Sequence, residues 1–225
     1  MWVLTETHDS ISPGPGFGRA ATAGADRPGD SGERWTAIWS RFPIEALPPT
    51  SDPIRAVAAR VVPPDGAPLI VYGTVLPWLG SPWREFAAAN GRAFAEALEV
   101  QARDWRALRE SNPDHDIVVA GDFNQDLADT HYYGSRANRH SLLLALERAE
   151  LVALTAGRND PVRRDSSPCA CIDHICISKR ARWQPGARRR WPDVRKPDRG
   201  LSDHFGTTIE LANTRQPQTL ASIGP

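Results

Sequence analysis

Residues 69–76, LIVYGTVL, form an almost unbroken apolar run preceded by a PPDG turn. A strand this apolar along its whole length needs cover on both faces, so it belongs inside a sheet with a layer packed on each side. Residues 83–110 follow with Phe86, Phe94, Leu98, Trp105 and Leu108 at spacings that share one helical face. Asn112-Pro113 ends that pattern. Residues 116–120, DIVVA, then supply a second buried strand. Strand, helix and strand in this order predict an α/β protein, and the consecutive strands at 55–62 and 68–76 predict two packed sheets.

The rest of the chain is read in the same way. Residues 9–33 are rich in Gly, Pro, Ala and Ser and predict a long flexible loop. Residues 141–150, SLLLALERAE, predict a helix capped by Ser141, with a short strand at 151–155. Residues 171–178 and 204–211 predict the last two strands, and 212–225 a disordered tail. One domain over residues 1–211 accounts for the length. Basic and acidic residues balance at 27 each, so no global field announces a polyanionic partner. Cys169, Cys171 and Cys176 are odd in number and clustered. That is no disulfide framework and points to a reducing compartment such as the cytoplasm. No run approaches the ~18 apolar residues of a membrane helix, and MWVLTETHDS lacks the pattern of a signal peptide.

Three motifs stand at strand edges in a fixed order: IVVAGDFNQDL at 117–127, CIDHICIS at 171–178 and LSDHFGTTIEL at 201–211. They bring a carboxylate, an amide and an imidazole to strand ends, an inventory suited to metal-assisted attack of water on a phosphate ester. Asp122 and Asn124 are two apart, so in an extended segment both face one side while Phe123 packs behind.

GDFN, then IDHI, then SDH, in this order, resemble the endonuclease/exonuclease/phosphatase family over roughly Trp2 to Leu211. The resemblance implies a four-layer α/β/β/α sandwich of two packed mixed sheets, with the site where strand ends meet at one edge. It implies that Asp122 orients or deprotonates the attacking water and that Asn124 donates to a phosphoryl oxygen. It places His204 over the phosphate with Asp173 bonded to its ring. Glu6, at the end of WVLTET, holds a divalent ion, Mg²⁺ or Mn²⁺, with Asp203 assisting nearby. The implied substrate is a phosphate ester, nucleic acid included, and the implied protein is a monomer.

Two departures from the family pattern are visible. The first strand, with its functional Asn, and the helix after it have no counterpart before Glu6, so the chain is expected to be truncated at its N-terminus. Val75 stands near the place where the family carries a His or Tyr that serves the leaving group, and valine has no proton to give. Together they raise an alternative: a family remnant that binds phosphate ligands without turnover. Cys169, Cys171, His174 and Cys176 also offer a zinc reading, but C-x-C in a strand is a poor zinc knuckle and buried thiols are the preferred one. The stretch 179–199 is strongly basic and carries Trp183 and Trp191. It reads as a solvated loop, with polyanion binding as the rival.

Overall fold

The structure is a computed structural model and describes all residues except 25, 27–30, 65–66, 88–90, 164–168, 193–201, 203 and 214–225. Its centre is a six-stranded mixed sheet of β4 (Ile44–Ala46), β5 (Ala56–Val61), β6 (Leu69–Val75), β7 (Asp116–Asp122), β9 (Asp173–Ser178) and β8 (Leu151–Ala153), hydrogen-bonded in that order. LIVYGTVL becomes β6, and every residue of that strand is buried. β6 and β7 run parallel, so they need a crossover. Helix α1 (Arg92–Ser111) supplies it and lays Phe94, Leu98 and Trp105 on the sheet.

Helix α2 (Arg136–Arg148) adds Leu142 and Leu146 to the same core. Each such side chain taken fully out of water contributes roughly 1.5–3 kcal/mol. The opposite face of the sheet is covered by a second, antiparallel layer. It consists of β1 (Trp2–His8), β3 (Glu33–Ser40) and β2 (Gly18–Ala21) in the order β1-β3-β2, and of the hairpin β10 (Trp183–Trp191) with β11 (Gly206–Asn213). Ile38, Val71, Val118, Ile177 and Trp183 join the three sheets in one core. This is the α/β sandwich of packed sheets that the sequence predicts, with α1 and α2 forming one helical layer among the described residues.

Four local expectations change. The segment 9–33 contains β2, which pairs with β3. Gly18 lets this strand lie close to β4, because a Cβ there would lie 2.5 Å from Ile44 Cγ2. The first helix begins at Arg92 instead of 83; Trp83 and Phe86 are stacked at 6.0 Å in a bridged turn before it. The second helix begins five residues before Ser141, and Ser135 caps it by accepting from Asn138 N–H at 3.0 Å. Residues 183–191 of the basic stretch form a strand: β10 pairs with β11 along its length, with a bulge between Pro185 and Arg188, while residues 193–199 lie outside the described residues. The last strand runs to Asn213, and residues 214–225 lie outside the described residues. Among the described residues no helix is long and apolar enough to cross a membrane.

Candidate active site

The antiparallel register of β7 and β9 sets Asp122 directly opposite Asp173. Two carboxylates at facing positions repel each other, and Asp122 is also buried. Burial, followed by the neighbouring Asp173, pushes the Asp122 carboxyl up to about 8; Glu6 adds to the rise, while His204 and the N–H of Asn124 oppose it. His204, two residues before β11, lies against Asp173 with Nδ1 2.8 Å from Oδ2. Ligand atoms of Asp122, Asp173 and His204 all lie within 4.8 Å of one another.

The segment after β7 is fixed tightly. Phe123 is fully buried and contacts Trp105 and His174 with its ring. Asn124 then turns with φ 47, so its N–H donates to Asp122 Oδ1 at 2.7 Å. Its Nδ2 donates to Asp122 Oδ2 at 2.6 Å and to the Leu76 carbonyl at 2.9 Å. Both amide hydrogens are therefore committed to the protein. Gly121 (φ 138) brings β7 so close to β6 that a Cβ would sit 2.0 Å from the Thr74 carbonyl oxygen.

Glu6 is exposed on β1 and lines the same cavity as the three clustered residues, though it is not one of the three. It too has φ 47. Left-handed backbone is uncommon for a non-glycine residue and costs about 1–2 kcal/mol. Two of the four such residues described, Glu6 and Asn124, are ones the sequence singles out. Asp203 lies outside the described residues.

The cavity measures about 470 Å³, and residues that sequence reasoning missed complete its wall. Arg55 is buried, with its guanidinium 4.3 Å from the ring centroid of Trp35, which also lines the cavity. Tyr132 and Tyr133 reach the wall because Asp126, fully buried, accepts from their N–H groups at 3.0 and 2.8 Å. His131 and Arg139 pair with the same carboxylate at 3.2 and 3.5 Å. Gln125 pins the loop a second time, donating to the Tyr133 carbonyl and accepting from Ser135 N–H. No local sequence pattern marks these groups; only the run of Gln125 and Asp126 after GDFN hints at a clamp. Val75 lines the cavity and is buried, with Trp78 beside it.

The cysteines make no zinc site among the described residues, where the clustered metal-type ligands are Asp122, Asp173 and His204. His174 is fully buried, and burial lowers its pKa. It stays neutral, with Nε2 donating to the Gln125 carbonyl at 2.9 Å and Nδ1 3.0 Å from the Thr155 hydroxyl. Cys171 lines the cavity and donates to the Asp173 carbonyl at 2.7 Å, and burial holds its thiol protonated.

The sequence profile of the Endonuclease/Exonuclease/phosphatase family matches residues 3–204. The chain belongs to this family. Members hydrolyse phosphate esters with metal ions. A search of curated proteins gives no match. The fold is similar to that of an endonuclease/exonuclease/phosphatase from Beutenbergia cavernae DSM 12333, with TM-score 0.58 and 19% identity over 94% of this chain; the match spans 62% of that protein. It is similar to the human Nocturnin catalytic domain with bound sulfate anion, with TM-score 0.58, 15% identity, and 88% and 73% of the two chains covered. It is similar also to the endonuclease domain of TRAS1, a telomere-specific non-LTR retrotransposon, with TM-score 0.54, 15% identity, and 90% and 82% covered.

Proposed function

We propose that this protein is a divalent-metal-dependent phosphoesterase that directs water onto a phosphate ester. Asp122, Asn124, Asp173 and His204 form the catalytic group, with Glu6 and Asp203 at the metal. The observation that carries this reading is the meeting of Asp122, Asp173 and His204 within 4.8 Å at a cavity that Glu6 also lines.

The donor set fits a hard cation. Two carboxylates meet here and a third, Glu6, lines the same cavity; Asp173 and Glu6 each raise the Asp122 carboxyl, so positive charge at this place relieves a repulsion built into the fold. Oxygen donors of this kind suit Mg²⁺ or Mn²⁺. When bound, such an ion polarises a phosphoryl oxygen and acidifies water.

The chain's own groups divide the remaining work. Asp122, once ionised, accepts the proton of the attacking water. Asn124 fixes that carboxylate through its two bonds to it; donation to a phosphoryl oxygen requires it to give up the Leu76 carbonyl. His204 gives Nδ1–H to Asp173 and so presents Nε2 to the substrate. A cationic ring there donates where negative charge develops on the phosphoryl group. Arg55, which also pairs with Asp26 at 3.6 Å, adds a guanidinium to the same wall.

One observation favours a second reading, in which the protein holds phosphate ligands without turnover: Val75 occupies the wall and offers no proton. Hydrolysis of a panel of phosphodiesters with Mg²⁺ or Mn²⁺, with and without chelator, separates the two. The control is His204→Ala, checked for folding. Cleavage that chelator and His204→Ala both abolish supports the phosphoesterase. A folded protein that binds inorganic phosphate and cleaves nothing supports the second reading and ends the first.

A further inference from the structure

We infer that the substrate of this site is a single-stranded polynucleotide, bound with an unstacked base against Trp78 and Tyr132. This inference rests on the phosphoesterase reading above and names its substrate class.

The first observation is the kind of surface the cavity offers at its mouth. Trp78 and Tyr132 line it and are 53% and 45% exposed. They stand on the loops that leave β6 and β7, the two strands on which Val75 and Asp122 face each other in register. So two half-exposed rings border the place where the phosphate is to react. Both rings sit on fixed backbone. Ser81 N–H closes a turn on the Trp78 carbonyl at 2.9 Å, and Gly80 is so close that a Cβ would lie 2.7 Å from the indole. Tyr132 is pinned through Asp126. Rings held in place beforehand lose little freedom when a flat partner stacks on them.

The second observation is charge. Among the described lining residues, Arg55 and His204 are the cationic groups, against Glu6, Asp122 and Asp173. Of the three arginines of β10, Arg188 and Arg189 are engaged elsewhere, and Arg190 is held by Val162 and Phe205, which themselves line the cavity. Arg188 donates to the Leu154 carbonyl, Arg190 donates to the Val162 carbonyl and lies over the Phe205 ring, and Arg189 pairs with Glu210. A duplex held by its backbone, or a small ring bearing several phosphates, needs many cations at once. Among the described residues, this wall suits one phosphate with a flat apolar group beside it. A base in a duplex is already stacked and must be flipped out to use such a wall, at a cost, whereas a base in a single strand is available.

The test is binding and cleavage of fluorescein-labelled oligothymidylate, an abasic strand of equal length and a duplex, with Mg²⁺ present. Binding is read on His204→Ala protein, in which cleavage is slowed about 10²–10³-fold. The thymidylate strand is expected to bind about tenfold tighter than the abasic one. Trp78→Ala and Tyr132→Ala are each expected to weaken thymidylate about 5- to 100-fold and leave the abasic strand unchanged, with Trp78→Phe restoring most of the loss. In the otherwise unaltered protein the same changes raise KM and spare kcat. Salt dependence is expected to be shallow, with a log–log slope of about −0.7 for each phosphate held. Equal affinity for thymidylate and abasic strands, preference for duplex, or indifference to both alanine variants overturns the inference. If metal-dependent cleavage persists in that case, the phosphoesterase reading survives alone. If base-dependent binding occurs and no strand or generic diester is cleaved, the stacking wall stands and the phosphoesterase reading falls.

Discussion

The two sheet layers serve the site in unlike ways. The six-stranded layer delivers Asp122, Asn124 and Asp173 at the ends of β7 and β9, strands whose neighbours hold them on both sides. Phe123 and His174, next to those residues in sequence, pack edge to face and are fully buried. The second layer delivers Glu6 from β1, an edge strand, and His204 from just before β11, whose residues alternate between exposed and half-buried. In the first half, chemistry and folding draw on the same contacts. In the second half they are separable, so a side chain there can change the reaction while leaving stability almost untouched.

Asp122→Asn is the strongest way to sharpen this contrast. Loss of the base is expected to lower kcat about 10²–10⁴-fold. It also changes how stability depends on pH. The folded carboxyl sits near 8, above its ordinary value of 3.8, so the native state binds the proton more tightly in that window. Stability of the metal-free protein is then fully present below pH 4 as far as this group is concerned, and falls as pH rises towards 8, by at most about 1.4 kcal/mol per unit. Thermal unfolding in chelator between pH 5 and 8 should show that decline in the original protein and its absence in Asp122→Asn. A flat profile in both breaks the claim that the buried carboxylate is held against folding.

His204→Ala is the counterpart from the softer half. It is expected to cost about 10²–10³ in kcat and no more than about 0.5 kcal/mol in urea unfolding, since the side chain is 27% exposed. A stability loss of several kcal/mol erases the distinction between the halves. Gly121→Ala tests the rigid half without touching a reactive group. Its Cβ meets the Thr74 carbonyl at 2.0 Å in a backbone conformation that strains any side chain. The expected cost is about 2–4 kcal/mol by urea unfolding, with activity falling as β6 and β7 part. The smallest effect is expected from Arg189→Ala. Its pairing with Glu210 leaves both side chains about two-thirds exposed, so stability should move by less than about 0.5 kcal/mol and cleavage should not change.

Much of the rigid half was legible in the sequence, and the reason is physical. A strand buried on both faces has little choice of residue, so LIVYGTVL and DIVVA announce β6 and β7 by composition alone. The polar residues just past them interrupt an apolar run and stand out for the same reason. β2 and β10 were not legible. GRAA and WQPGARRRW have no apolar alternation, because β2 relies on a close approach at Gly18 and β10 anchors its arginines on carbonyls of neighbouring segments. The start of α2 was hidden because RANRH looks polar, although Asn138 is buried where α2 approaches Gly91. Arg55 reaches the cavity through contacts distant in sequence, and Tyr132 and Tyr133 through an irregular loop clamp on Asp126 and Gln125, which no periodic spacing marks.

The Asp126 clamp has a consequence for how this protein can vary. Its carboxylate accepts from Ala128 at one side and from Tyr132 and Tyr133 at the other. Between those anchors Asp129, Thr130 and His131 face solvent. A loop closed at its neck can lengthen at its tip for a few tenths of a kcal/mol per added residue, while the neck keeps its shape. The span from Asp129 to Thr130 is therefore a natural insertion point. Residues or a reporter group placed there extend the molecule outward over the mouth of the cavity, and the two tyrosines below remain where the neck holds them.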